Sequence, residues 1–366
     1  MSRRSRQLWW WARPIIFLTI VWLLLLSLRH DSTTALFRDH DAAVDNPIAL
    51  QCRAHGWKPF IPSKPSQPRR VYDLLLINTE LDQLEIRLNT TFSEVDYYIL
   101  VEAARTFTYR PKPLTLRENL SRFDAYKSKL IYHELEFPPD YAPTTTWQTE
   151  TLQRNAMLTQ AIPKLAGTPR APRPGDVLVV SDVDEIPRPS TLALLRACAF
   201  PRRLTLYSRF YYYSFQWLHR GDEWPHPQAT YFEGDKKTLL PDELRMGIGG
   251  SGVWPFKQLR RWWEAGALRN ASWHCSSCFA TIRELVNKMG SFSHVGLNKE
   301  RFRDPEHIVD RVRNGKDLWD RKGEFYDRIE NNEDVPEFLK HNRDRFGYML
   351  DRDGPGAGFL DYQPGM

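Results

Sequence analysis

The run Asp176-Val-Leu-Val-Val-Ser-Asp182-Val-Asp184-Glu185-Ile-Pro187 sets three carboxylates directly behind a short apolar stretch. Val177 to Val180 are uninterrupted aliphatics bounded by Pro174-Gly175 and Pro187, which reads as a central strand covered on both faces. The acids arrive where the chain leaves the core, and in open α/β sheets ligands bind outside the carboxyl ends of the strands. Carboxylates at i and i+2 can share one hard divalent cation, and that cation can grip a diphosphate. Asp182 and Asp184 are therefore the expected metal ligands, and Asp184 and Glu185 the expected catalytic acids. The plainer reading is a solvated turn with an aspartate cap. The apolar strand before the acids and the Glu-Ile-Pro after them favour the metal and nucleotide site.

The elements that must hold these acids begin upstream. Val71 to Asn78 reads as a strand, Thr79 to Thr91 as a helix carrying Leu81, Leu84, Ile86 and Leu88, and Val95 to Val101 as a second strand. That second strand delivers Glu102 at its carboxyl end, a further contact for the bound nucleotide. The order predicts a right-handed βαβ unit opening a Rossmann-like sheet. No G-x-G-x-x-G follows the first strand, which argues against a dinucleotide dehydrogenase. Leu130 to Tyr132 is another short strand. Thr146 to Leu165 is helical and carries Arg154, either a surface residue or a diphosphate contact. A helix over Ser190 to Cys198 and a strand over Arg203 to Ser208 follow.

Phe210 to Trp217 is dense in aromatics, and Trp224, Trp254, Trp262 and Trp263 come after it. Each one alone reads as core; as a group they fit a groove that stacks on sugar rings. Trp273-His274-Cys275 precedes a helix over Thr281 to Gly290 and then His294. His274 is the expected third metal ligand and His294 a further candidate, against the plainer reading of hydrogen-bonded structural histidines. The C-terminal part reads as helical over Glu306 to Val312 and Val335 to Leu350, with 352–366 as a flexible tail.

The ends and composition bound the setting. Arg3, Arg4 and Arg6 precede a hydrophobic stretch from Leu8 to Leu28, broken by Arg13. Its apolar part, Pro14 to Leu28, would reach roughly 22 Å as a helix, with Trp9 to Trp11 as an aromatic belt. No small-residue cleavage site follows, which favours an uncleaved signal anchor over a cleaved signal peptide. The expected layout is a cytosolic tail over 1–7, a transmembrane anchor over 8–28, a proline-bearing luminal stem over 29–70 and a catalytic domain over 71–351. The net charge of +6 is mild, with bases and acids interspersed, so nucleic acid is not an expected partner. Four cysteines, Cys52, Cys198, Cys275 and Cys278, fit one or two structural disulfides of open pairing. A lone C-x-x-C cannot build a four-ligand zinc site. The sequons at Asn89, Asn119 and Asn270 agree with a luminal compartment.

Three stretches carry a family resemblance: Asp176 to Pro187, Trp273-His-Cys-Ser-Ser-Cys-Phe279, and Arg343-Asp-Arg-Phe-Gly-Tyr-Met-Leu-Asp351. Together, and in this order, they resemble the family 17 glycosyltransferases from about Val71 to Asp351. The resemblance implies an α/β fold of GT-A type, a Rossmann-like mixed sheet flanked by helices and preceded by a single N-terminal transmembrane helix. It implies an inverting transfer of N-acetylglucosamine from UDP-GlcNAc to a β-1,4-linked mannose of a glycoprotein N-glycan. It also implies a divalent cation of the Mn²⁺ type; with the anchor read from the N-terminal segment, the expected placement is the Golgi membrane, rather than the endoplasmic reticulum, with the catalytic domain luminal. On the family pattern, Asp182 and Asp184 fall on the D-x-D positions, Glu185 on the acid after them, and His274, Cys275 and Cys278 on W-H-C-x-x-C. Glu185 is the first choice for the base that takes the acceptor's proton. Another sugar donor or acceptor is the nearest alternative, and a silent luminal carbohydrate-binding protein the alternative of another class.

Overall fold

The computed structural model describes residues 47–291 and 298–363. The expected cytosolic tail, the anchor over 8–28, the first part of the stem and His294 lie outside the described residues. Among those described, no helix is long and apolar enough to cross a membrane. The expected fold class is corrected on that point, and the membrane partner and the Golgi-membrane placement that rested on the span are withdrawn with it.

The chain divides into two units, Met1–Phe60 and Ile61–Met366. The described part of the first unit carries helix α1 (Pro47–Ala54), which buries Ala49 and Cys52. The second unit is built on a ten-stranded sheet. Its parallel half is β1 (Val71–Ile77), β2 (Tyr97–Glu102), β3 (Leu130–Glu134) and β4 (Val177–Asp182), in the spatial order β3-β2-β1-β4. Every residue of β1 is buried, as a central strand of aliphatics requires. The register sets Leu76 opposite Asp182 and Ile77 opposite Glu102, so the carboxyl ends of these strands share one edge.

From β1 the chain crosses through helix α2 (Leu81–Thr91) to β2 on one side, while β4 pairs on the other. That reversal makes the gap between β1 and β4 the topological switch point, where a ligand site is expected. One sheet face packs Tyr72, Leu74 and Leu76 against Ala156, Met157 and Ala161, each large aliphatic gaining about 1.5–3 kcal/mol from burial. Those partners belong to helix α3 (Thr146–Ala156) and the π-helical turn Met157–Ala161 that continues it. Thr145 caps α3, its hydroxyl accepting from the Gln148 N–H while the Gln148 side chain reaches back to the cap backbone.

Past β4 a three-residue strand, β5 (Glu185–Pro187), leads into helix α4 (Pro189–Ala197). The sheet then extends through β6 (Arg203–Tyr212), β7 (Ser214–His219) and β8 (Gln228–Tyr231), with β8 antiparallel to both β4 and β6. Two helices, α5 (Pro241–Arg245) and α6 (Phe256–Glu264), precede the long strand β9 (Ala265–Ser276). Strand β9 runs parallel to β6, bulges between Leu268 and Ser272, and then pairs antiparallel with β5. Helices α7 (Ile282–Ser291) and α8 (Pro305–Arg313), strand β10 (Tyr326–Arg328) and helices α9 (Glu337–His341) and α10 (Arg343–Leu350) complete the unit. The helix expected over Val335 to Leu350 is broken at Asn342, whose side-chain amide donates to the Phe338 carbonyl instead of continuing the turn.

The segment expected as a flexible tail packs instead. Arg352 is fully buried and donates to the carbonyls of Tyr213, Phe279 and Ala357, and Phe359 joins an apolar cluster with Ile308 and Trp217. Its clasp on Tyr213 holds the turn between β6 and β7, where Tyr213 sits at φ 66°.

Candidate functional site

The pairing of β5 with β9 builds the site. His274 lies opposite Glu185, Trp273 opposite Ile186 and Ser272 opposite Pro187, and the Cys275 N–H donates to the Asp184 carbonyl at 3.3 Å. Two motifs about ninety residues apart in the chain thereby meet at the carboxyl edge of the sheet. A Cys275–Cys278 disulfide closes the turn after β9, and no cysteine among the described residues is free. The C-x-x-C is therefore a structural bridge in this fold.

The turn between β4 and β5 is braced from below by Arg87 of α2, which has no exposed surface. Its guanidinium grips both oxygens of buried Asp73 at 2.7 Å and donates to Ser181 Oγ and to the carbonyls of Asp182 and Glu185. A buried ion pair of this kind is tolerable because every donor is used. It fixes the direction in which the acids leave the sheet.

Asp182 is the open carboxylate, with 38% of its side chain exposed. Its Oδ1 accepts from Arg154 Nη1 at 2.9 Å and its Oδ2 from Arg245 Nη2 at 2.8 Å. Arg154, buried on α3, also bonds Glu150 at 2.8 Å, and its Nε makes no hydrogen bond but lies 4.0 Å from Asp242 Oδ1. Asp184 is buried. Its Oδ2 accepts from Lys288 Nζ at 2.9 Å and lies 3.7 Å from His274 Nε2. Burial raises the Asp184 pKa, but Lys288 and His274 outweigh it and hold the carboxyl well below the usual carboxylate range. Burial likewise lowers the Lys288 pKa, and Asp184 more than restores it, so the ammonium stays charged.

Glu185 is saturated. Arg245 donates to both of its oxygens at 2.7 and 2.8 Å, Trp224 Nε1 to Oε1 at 2.7 Å, and the Asp182 N–H to Oε2 at 3.0 Å. Burial opposes its charge, yet Arg245 prevails and depresses its pKa. A sealed carboxylate of low basicity does not fit the expected role of proton acceptor, and its placement is that of an anchor. Glu102 is also corrected. Although it ends β2 at the same edge, its carboxylate accepts from the Leu116 and Arg117 N–H groups and from Tyr132 Oη, holding a neighbouring turn. Register places it two strands from Asp182, about 10 Å away at ordinary strand spacing.

His274 stacks on Phe210 with centroids 4.9 Å apart and tilts against Trp224, and its Nδ1 is buried without a hydrogen-bond partner. His226 lies near the same group, and burial followed by Arg245 pushes its pKa down, so it is neutral near pH 7. Most of the aromatic run is core: Tyr211, Tyr212, Tyr213, Phe215 and Trp217 are buried, which corrects the expectation of a sugar-stacking groove for those residues. Asn270 is exposed at φ 51° in the β9 bulge while Ser272 and Trp273 are buried, so the sequon faces away from the site residues that follow it.

Sequence reasoning missed Arg245, Lys288 and Arg87. Asp182, Asp184 and Glu185 face Arg154, Arg245 and Lys288, so the acids and bases balance in charge. Among the described residues no three His, Cys, Asp or Glu side chains converge as a metal cage. Cations of the Mg²⁺ type need none, since they hold one or two carboxylates and complete their shell from water and substrate phosphates. The part-exposed Asp182 carboxylate, with Asp184 and His274 Nε2 3.7 Å apart beside it, suits such a substrate-completed site.

An acidic turn at the switch point of a mixed α/β sheet, its carboxylates paired with Arg154, Arg245 and Lys288, is the candidate site of this fold. Residues 30–239 and 260–354 match glycosyltransferase family 17, and the chain belongs to that family. It is 27% identical over 307 residues to the human (Homo sapiens) β-1,4-mannosyl-glycoprotein 4-β-N-acetylglucosaminyltransferase, covering 78% of this chain and 55% of that protein. The counterparts from Rattus norvegicus and Mus musculus are each 26% identical with the same coverage. The chain thus spans about half the length of the curated relatives it matches. A mannosyltransferase from Pyrobaculum calidifontis, solved with GDP-Man and Mn²⁺, aligns over 80% of this chain and 74% of its own. It does so at 14% identity and a TM-score of 0.31, too low to carry any argument.

Proposed function

We propose that the chain transfers N-acetylglucosamine from UDP-GlcNAc to a glycan acceptor, a β-1,4-linked mannose of a glycoprotein N-glycan. The relatives' names supply the sugar and acceptor; the observation that supports the chemistry is the β5–β9 pairing, which gathers Asp182, Asp184 and His274 at one sheet edge. Arg154 and Arg245 meet the Asp182 carboxylate and Lys288 meets Asp184; with a cation held by the two aspartates, these bases would be left to offset the charge of a diphosphate. In this reading Asp182 and Asp184, with His274 beside them, would hold a divalent cation of the Mn²⁺ type. When bound, that cation offsets the negative charge that develops on the departing UDP. Glu185 and Arg87 keep the turn in place, which preserves the orientation of the two aspartates.

The test is incubation with UDP-GlcNAc and an N-glycan bearing the β-1,4-linked core mannose, followed by mass spectrometry. The expected product is heavier by one N-acetylhexosamine and is lost on digestion with a β-N-acetylglucosaminidase. Donor hydrolysis with no product on any mannose-bearing N-glycan would leave the donor reading standing and overturn the acceptor.

A further inference from the structure

Helix α6 is turned inside out. At 100° per residue, Phe256, Leu259 and Trp263 fall on one arc, while Lys257, Arg260, Arg261 and Glu264 fall on the other. In a surface helix the apolar arc faces the core; here no residue of α6 is buried. Exposure is 69% for Phe256, 46% for Leu259 and 53% for Trp263, and the preceding Val253 and Trp254 add 72% and 77%. The charged arc is the one tied to the protein. Arg260 bonds Glu264 at 2.7 Å and Ser251 at 3.0 Å, Arg261 donates to the Gly249 carbonyl, and Glu264 pairs with Arg203 at the start of β6 and with Arg202 just before it. The family match skips 240–259, which takes in Val253, Trp254, Phe256 and Leu259, and resumes before Trp263.

We propose that this face is the contact of a homodimer, a second copy of the chain packing its own α6 against it about a two-fold axis. The exposed parts of these five side chains sum to on the order of 600–700 Å² per protomer, taking roughly 150–250 Å² for a whole aromatic side chain. Doubled, that falls within the roughly 1,200–2,000 Å² that stable interfaces bury. Tryptophan is the residue type most enriched among interface hot spots. A two-fold contact sets each side chain against its own patch, and Arg261 and Glu264 are held toward their own protomer, while half-exposed Arg260 is paired with Glu264. Strand β9 starts at Ala265 opposite Arg203, and the β4–β8–β6 registers put that level about 13 Å toward the amino edge from Asp182. The dimer therefore leaves the acidic edge open to substrate.

The test is light scattering on the full chain across a dilution series, beside a Trp254→Ser, Phe256→Ser, Trp263→Ser variant whose circular dichroism and donor turnover match the wild type. The expected result is a wild-type dimer and a variant whose dissociation constant is raised by about a hundredfold or more. Leu259→Cys, near the axis, should form an intermolecular disulfide on oxidation. A wild type monomeric at every concentration would overturn the proposal, as would a variant that dimerises equally well. A monomer that floats with phosphatidylcholine–phosphatidylserine vesicles while the triple variant floats measurably less would assign the face to lipid and overturn it too.

Discussion

At the scale of residues, the site is decided by how each carboxylate is compensated. Glu185 has both oxygens in an ion pair with Arg245 and no exposed surface, so removing the base strands a buried charge. Arg245→Met should cost about 3–5 kcal/mol of stability, read as a fall in the urea midpoint; an unchanged midpoint would show that the pair contributes nothing. Glu185→Gln should also lower the midpoint, with donor turnover falling only as far as the turn is disturbed. Loss of turnover in a fully stable Glu185→Gln would return this residue to a chemical role. The acids were legible because three of them follow an apolar strand. Arg245 and Lys288 were not, because they pair across 60 and 104 residues, and an isolated Arg or Lys on a short helix carries no spacing signal.

At the scale of elements, the turn after β9 holds the second motif against the first. Cys275 and Cys278 close a loop of few residues, for which chain entropy gives about 2 kcal/mol. The double Cys→Ser variant should lose about that much in urea unfolding while retaining the β5–β9 pairing, seen as unchanged donor affinity. Full stability in the double variant would mean that packing of Trp273 and Cys275 against Phe215 and Phe346 suffices. The strands around β4 were legible from their aliphatic runs, and α2 and α3 from their periodicity. The contact between β5 and β9 was not, since three residues are too few to show a period. The break at Asn342 was hidden inside a helical pattern because a side-chain hydrogen bond, not hydrophobicity, ends α9.

At the scale of the whole second unit, buried charge sets the response to acid. Asp184 and Glu185 have folded-state pKa values below their unfolded ones. Their contribution is therefore complete at neutral pH and begins to fall below about pH 5 as the unfolded carboxylates take up protons. It goes on falling until the folded-state carboxyls themselves protonate, well below the usual carboxylate range. Thermal midpoints should drop across that window, and a midpoint that rose there would contradict the assigned pairs. Arg352→Met, which abandons three buried carbonyls, should destabilise the unit by several kcal/mol, on the order of 3 or more. This C-terminal clasp escaped the sequence because glycines and prolines around it resemble a loose tail. The central claim is that Asp182 and Asp184 organise a nucleotide-sugar site, and it is tested most directly by UDP release from UDP-GlcNAc, with Mn²⁺ and with a chelator, by wild type and Asp184→Asn. The account predicts release that requires the cation and falls by at least about a hundredfold in the folded variant. Undiminished release by that variant would contradict it.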